Sequence, residues 1–346
     1  MGLNIRDIVS RREITFPELK HKTICVDAFN ILYQFLSTIR QMDGTSLMDN
    51  QKRITSHLSG IFYRNLALLE QGIKLVYVFD GEPPEAKIKT KEKREIAKFL
   101  AEERYKEAKQ EEDISAMRKY SSQVVRLNGE MIEESKELLE AMGIAVVQAP
   151  SEGEAEAAYL CRIKEEVYAS ASQDYDSLLF GASRLIQNLT LSRRRKTFSG
   201  YVEVKPEIIE LDRLLNVLGI NLDQLICLGI LVGTDYNPKG IPGIGQKKAL
   251  QIVKQYVQPI LIFKSVEEQI LGLPEKERFD WQEIFELFHR PAVKNEEFQF
   301  KKIDEKKIRE ILITRHDFSE ERVEKQLKRL KEITEKNKQK GLSDWI

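Results

Sequence analysis

T-I-C-V at 23–26 stops at Asp27, I-T-S-H-L-S-G-I-F-Y-R-N-L-A-L-L runs from 54 to 69, and L-V-Y-V-F at 75–79 stops at Asp80. The outer pieces have the β-branched, continuous apolar character of buried strands, and the middle has helical periodicity, so residues 22–85 read as one βαβ unit. Further along, A-V-V-Q-A-P-S at 145–151 leads into Glu152, and V-Y-A-S-A-S-Q at 167–173 leads into Asp174. Glu154 and Asp176 follow two residues after these acids. If the four runs are parallel strands of one open sheet, their carboxyl ends share the edge where such sheets place their sites. Carboxylates gathered there require a cation. Oxygen ligands without organised His or Cys select a hard ion such as Mg²⁺ or Mn²⁺, and that chemistry points to phosphoryl or phosphodiester cleavage.

Each acid alone supports a plainer reading. Asp and Glu total 55 of 346 residues, so acidic i, i+2 pairs arise by chance. Acids after strands also form turns, and Ser151 with Glu154 fits a capping box at the start of E-A-E-A-A-Y-L-C. The recurrence at four strand ends is what favours a metal site.

The chain is long enough for one large domain or a domain with appended modules. No apolar run has the length of a membrane helix, and M-G-L-N-I-R lacks a signal-peptide core, so a soluble, intracellular protein is expected. Arg6 stands where a myristoylation motif needs Ser or Thr. Cys25, Cys161 and Cys227 are isolated in apolar segments, which predicts buried thiols, and His21, His57, His289 and His316 are scattered, which argues against zinc. Net charge is zero, unlike most nucleic-acid binders. Basic runs are nevertheless concentrated at Lys87 to Arg94, Arg193 to Lys196, Lys247 and Lys248, and Lys325 to Lys340.

From about Thr90 to Ala141 the chain is highly charged with sparse apolar positions, as expected of a helical excursion from the sheet. L-D-Q-L-I-C-L-G-I-L-V at 222–232 reads as a buried helix ending at Gly233, with Asp235 just beyond. G-I-P-G-I-G then leads into Q-K-K-A-L-Q-I-V-K-Q-Y. Gly240, Gly243 and Gly245 allow a tight turn that presents N–H groups beside a helix N-terminus, next to Lys247 and Lys248. The pattern resembles the hairpin of helix-hairpin-helix DNA-binding motifs.

V-D-A-F-N with Y-Q-F-L, Y-V-F-D-G-E-P-P, A-P-S-E-G-E-A-E-A, S-Q-D-Y-D-S-L-L-F and V-G-T-D-Y-N-P-K-G-I-P-G-I-G occur in this order. Together they resemble the flap endonucleases, archaeal in type, of the structure-specific 5′ nuclease superfamily. The resemblance implies an α/β fold with a central, mostly parallel twisted sheet flanked by helices, a helical arch over the active site and a helix-hairpin-helix-type DNA-binding module. The implied organisation is a single nuclease domain over 1–335: nuclease regions at about 1–89 and 136–235, an arch at about 90–135, a glycine hairpin at about 222–256 and helices at about 257–335. A flexible tail would occupy 336–346.

The resemblance further implies two Mg²⁺ ions, with Mn²⁺ as a substitute, one held by Asp27, Asp80, Glu152 and Glu154 and the other by Asp174, Asp176 and Asp235. Lys87 and Arg94 would act on the scissile phosphate, Tyr33 would stack on a neighbouring base, and Arg40 would join the glycine hairpin in contacting DNA. Gly2 would lie near the site, and Glu156 falls outside the ligand pattern, as a helix-surface residue or one behind the ligands. Implied activities are 5′ flap endonuclease and 5′-3′ exonuclease cleavage in lagging-strand (Okazaki fragment) processing and base excision repair. The end of the chain fits a sliding-clamp (PCNA) motif through Gln339, Leu342 and Trp345, with Ile346 replacing the usual second aromatic. A monomer at the nucleoid of an archaeal cytoplasm is the matching expectation. Alternatives are another nuclease of the superfamily, cutting as an exonuclease or at bubbles, and a non-catalytic clamp-binding DNA-architectural protein.

Overall fold

A computed structural model describes residues 3–41, 43–111, 113–121, 123–190, 194–197 and 200–343, without the side chains of 88, 89, 91–94, 114, 115, 118, 194–197, 201–202 and 333–343. The chain begins with β1 (Arg12–Glu13), β2 (Thr23–Asp27), α1 (Ala28–Thr38), α2 (Ser56–Leu69) and β3 (Lys74–Phe79). Next come α3 (Ile88–Gln110), α4 (Ile114–Ser121), α5 (Gly129–Ala141), β4 (Ala145–Gln148), α6 (Gly153–Ile163) and β5 (Val167–Ala171). Then follow α7 (Asp176–Leu179), β6 (Arg184–Gln187), a small hairpin of β7 (Arg194–Thr197) and β8 (Gly200–Glu203), β9 (Glu207–Glu210), α8 (Leu211–Leu218) and α9 (Leu222–Val232). The remainder is helical: α10 (Gln246–Gln255), α11 (Pro259–Lys264), α12 (Glu267–Leu271), α13 (Trp281–His289), α14 (Glu305–Arg309) and α15 (Glu320–Ser343).

Among the described residues the main sheet runs β1-β9-β6-β5-β2-β3-β4. β6, β5, β2, β3 and β4 are mutually parallel, while β9 and β1 close one side antiparallel. The sequence expectation of a mostly parallel sheet holds. β2 leads outward to β3 and β4, and the chain then returns to place β5 on the other side of β2. The strand order therefore reverses between β2 and β5, and the crevice beyond their carboxyl ends is where such sheets bind ligands.

The connection from β2 to β3 differs from the single helix expected. It is two helices, α1 and α2, separated by a loop pinned by the bridges Arg40 to Ser46 and Met48 to Ile54. Local chemistry starts the helices: Asp27 accepts the Asn30 N–H at the head of α1, and Asn128 accepts that of Met131 at α5. Asn221 and Gln224 form a reciprocal capping box at α9. The core under the sheet includes Leu32, Phe35, Phe62 and Leu66 with Leu138 and Leu139 of α5, so α5 returns from the charged excursion into the interior. Each such side chain contributes about 1.5–3 kcal/mol on burial.

Glu156 lies in the interior rather than on the surface of α6. It is fully buried and its Oε2 accepts the Lys294 N–H, at 2.8 Å, which fastens the extended segment after α13. That segment continues to α14 and α15, whose Ile308, Val323 and Leu327 complete the core. Buried His316 lies between Asp49, 3.0 Å from its Nδ1, and Glu134, 2.8 Å from its Nε2, tying the loop before α2 to α5. Cys25, Cys161 and Cys227 are buried free thiols, as expected.

Candidate active site

The four strand ends deliver their acids to one cleft. Asp27 is the last residue of β2, and Asp80 follows β3 directly, its Oδ1 accepting the Gly153 N–H at 2.7 Å. A Cβ at Gly153 would stand 2.8 Å from both Asp80 Oδ1 and the Val78 carbonyl, so only glycine lets α6 start this close to β3. Glu152 precedes α6. The capping box proposed for Ser151 and Glu154 does not form: Ser151 Oγ donates to the Glu82 carbonyl, and Glu154 Oε1 accepts from Ser177 N and Oγ at 2.9 and 2.6 Å. Asp174 accepts from Asn30 Nδ2 at 3.0 Å, and Asp176 opens α7 against the backbone of Leu3.

Asp235 enters from the turn after α9. Thr234 N and Oγ1 donate to Asn237 Oδ1 at 3.1 and 2.8 Å, and Asn237 Nδ2 donates to the Ile230 carbonyl, so buried bonds lock this turn. Gly240 is required there, because with φ of 55° its Cβ would overlap the Val232 carbonyl oxygen.

Electrostatics unite the set. Burial lifts the Asp27 carboxyl to about 8, with the charges of Asp80 and Asp174 adding to the rise. Burial does the same for Asp176, also to about 8, helped by Asp235 and Asp174. Glu154 is pushed well above the carboxylate range by burial and by Asp176, Asp27 and Asp174. Lys87 enters this field, bonded to Glu152 Oε1 and 3.6 Å from Asp235. Burial disfavours its charge, but Glu152 and Asp235 outweigh that and hold its pKa above the ordinary lysine value.

The donor set fits a hard dication. Among the described residues one ammonium reaches these buried and half-buried carboxylates, and Asp176 Oδ1 is buried without a hydrogen-bond partner. Among the described residues no three His, Cys, Asp or Glu are drawn in closely enough to enclose one ion. Glu152 is turned towards Lys87 and Tyr236.

The other predicted residues lie around this cleft or outside the description. Tyr33 on α1 is exposed, with Lys98 of α3 5.4 Å from its ring centre. Arg40 is half-buried and donates to the Ser37 and Gly44 carbonyls. Gly243 and Gly245 face open space before α10, where Lys247 and Lys248 are exposed. The side chains of Arg94, Gln339 and Leu342, and all of Gly2, Trp345 and Ile346, lie outside the described residues. Asn30 and Tyr236 were missed as site residues, although each sits within a quoted motif: V-D-A-F-N ends in Asn30, and Tyr236 follows Asp235.

Residues 3–101 match the family described as XPG N-terminal domain, and 143–235 match the XPG I-region. The chain is 51% identical over 349 residues to a protein named flap endonuclease 1 from Pyrococcus furiosus, covering 100% of this chain and 99% of that one. It is 49% identical over 356 residues to the protein of that name from Hyperthermus butylicus, at the same coverage. Among solved structures it is similar to flap endonuclease-1 from Methanococcus jannaschii, with a TM-score of 0.75 and 38% identity over 97% of this chain and 100% of that one. The catalytic core of Rad2 in complex with DNA substrate shares the fold at a TM-score of 0.68 and 22% identity, over 95% of this chain and 100% of that one. With such identity along its whole length and the matching fold, the chain belongs to the flap endonuclease 1 family and is a DNA-binding, metal-dependent, structure-specific flap endonuclease.

Proposed function

We propose that Asp27, Asp80, Glu152 and Glu154 hold one Mg²⁺ and Asp174, Asp176 and Asp235 a second, with Mn²⁺ as a substitute. The observation that carries this is the meeting of these acids at the strand-order reversal, where burial and the neighbouring carboxylates lift Asp27, Glu154 and Asp176 together. When bound, such a pair supplies Lewis acidity to the attacking water and to the leaving oxygen of the scissile phosphodiester. Lys87 adds a cation at the rim, and Arg94 follows on α3. Asn30, Ser177 and the Gly153 N–H orient the ligands Asp174, Glu154 and Asp80. No protein nucleophile is required.

The helical pair α3 and α4 is read as an arch over the 5′ flap. Its α3 exposes Ile96, Phe99 and Leu100 at 63, 58 and 54%, a face that gains nothing from water and suits unstacked bases. Tyr33 would stack on a base beside the scissile phosphate. Cleavage at the flap junction, with 5′-3′ exonuclease action, places the enzyme in lagging-strand processing and base excision repair. A labelled double-flap DNA with Mg²⁺ should be cut at the junction far faster than single-stranded or blunt duplex controls, and comparable cutting of all three would contradict this reading.

The α9 to α10 turn is assigned to the duplex behind the junction. Lys247→Ala with Lys248→Ala should weaken duplex binding and make the plot of log affinity against log salt shallower by about 2, because two phosphate contacts release fewer counterions. An unchanged slope would reduce the turn to a structural connection. The tail at 336–346 is assigned to a PCNA-type sliding clamp. Deleting 339–346 should leave basal cleavage intact and remove stimulation by the clamp, whereas full stimulation of the shortened monomer would place the contact elsewhere.

A further inference from the structure

Glu152 uses both carboxylate oxygens, one towards Lys87 and the other towards the hydroxyl of Tyr236. Tyr236 is 8% exposed, and its ring packs edge-on against Phe288 with centroids 5.2 Å apart. Phe288 packs in turn on Phe180, at 4.8 Å. The Tyr236 N–H donates to Thr234 Oγ1 at 3.2 Å, inside the turn that Asn237 locks. The phenol is thus held at its ring and at its backbone. Its hydroxyl donates to Glu152 Oε2.

A carboxylate pointed by a fixed donor has lost rotamer freedom before an ion arrives. The other oxygen is shared with Lys87. The same hydroxyl also links the start of α6 to the turn carrying Asp235, Glu152 and Tyr236 being 84 residues apart in the chain. We infer that Tyr236 is a positioning residue that holds Glu152 in the orientation in which it accepts a divalent cation, and that it couples Glu152 to Asp235 across the cleft. This rests on Glu152 being a metal ligand. Partners of this kind that stand behind a ligand are worth about 10–100-fold in metal affinity or activity.

The test is Mn²⁺ binding by isothermal titration of the full chain without DNA, for wild type, Tyr236→Phe, Glu152→Gln and the double variant. Phe keeps the ring contact with Phe288 and removes only the hydroxyl. Tyr236→Phe is expected to bind Mn²⁺ about tenfold more weakly, and its lost cleavage rate should return as Mg²⁺ is raised, with KM for flap DNA unchanged. With Gln at 152, removing the hydroxyl should have no further effect on affinity. Wild-type affinity in Tyr236→Phe, with Glu152→Gln weakened, would overturn the role of Tyr236 alone. Equal weakening by Tyr236→Phe in both backgrounds would also overturn it, because the hydroxyl would then act through general folding. Wild-type affinity in Glu152→Gln would instead remove Glu152 from the ligands, and the inference with it.

Discussion

Asp176→Asn is expected to lower single-turnover flap cleavage by about a thousandfold or more while flap-DNA affinity stays within about threefold, because the phosphate grip lies elsewhere. Asp176 is buried, its Oδ1 has no hydrogen-bond partner among the described residues, and it faces Asp174 and Asp235. Such a carboxylate costs the metal-free fold stability. Its pKa rises from 3.8 to about 8, so the folded protein binds a proton that the unfolded chain has released, and the cost grows as pH increases between those values. A neutral Asn removes that cost. The variant should therefore melt about 2 °C higher than wild type in chelator at pH 8, with the difference vanishing near pH 4. Loss of activity together with a gain of stability is the signature of a residue retained for chemistry. Near-normal cleavage would remove Asp176 from the catalytic set.

Lys87→Ala should slow single-turnover cleavage by about 10²–10³-fold and change flap affinity by no more than a few-fold. Lys87 sits on the short turn between Asp80 and α3, with its ammonium among Glu152, Asp235 and Asp80. Charge that develops on the scissile phosphate meets it most strongly in the transition state, so rate suffers more than binding. A rate that falls only as far as affinity would make it a phosphate anchor. Full recovery at high Mg²⁺ would make it a holder of Glu152.

Much of this site was legible because strand ends and acids coincide in the sequence. Asp27, Asp80, Glu152 and Asp174 follow short strand-like runs, and a parallel sheet leaves such ends only one common edge. Asp235 was not legible this way, since it follows a helix and reaches the cleft through the turn that Asn237 closes. The capping box that Ser151 and Glu154 also offered does not form, because i, i+3 spacing cannot show that Ser177, from another helix, bonds the carboxylate. Glu156 was left open between the helix surface and a place behind the ligands for a similar reason: its partner is the Lys294 amide, 138 residues away. The division of the β2 to β3 connection into α1 and α2 was hidden because the loop between them carries no Pro and a single Gly, Gly44. Strands β6 and β9 have four residues each, too few for alternation to stand out.

The central claim is that these seven carboxylates form a two-metal centre. Anomalous diffraction from crystals grown with Mn²⁺ and flap DNA tests it most directly. Two peaks are expected about 4 Å apart, one against Asp27, Asp80, Glu152 and Glu154 and the other against Asp174, Asp176 and Asp235. Mn²⁺ bound elsewhere, with neither peak in the cleft beyond β2 and β5, would contradict it.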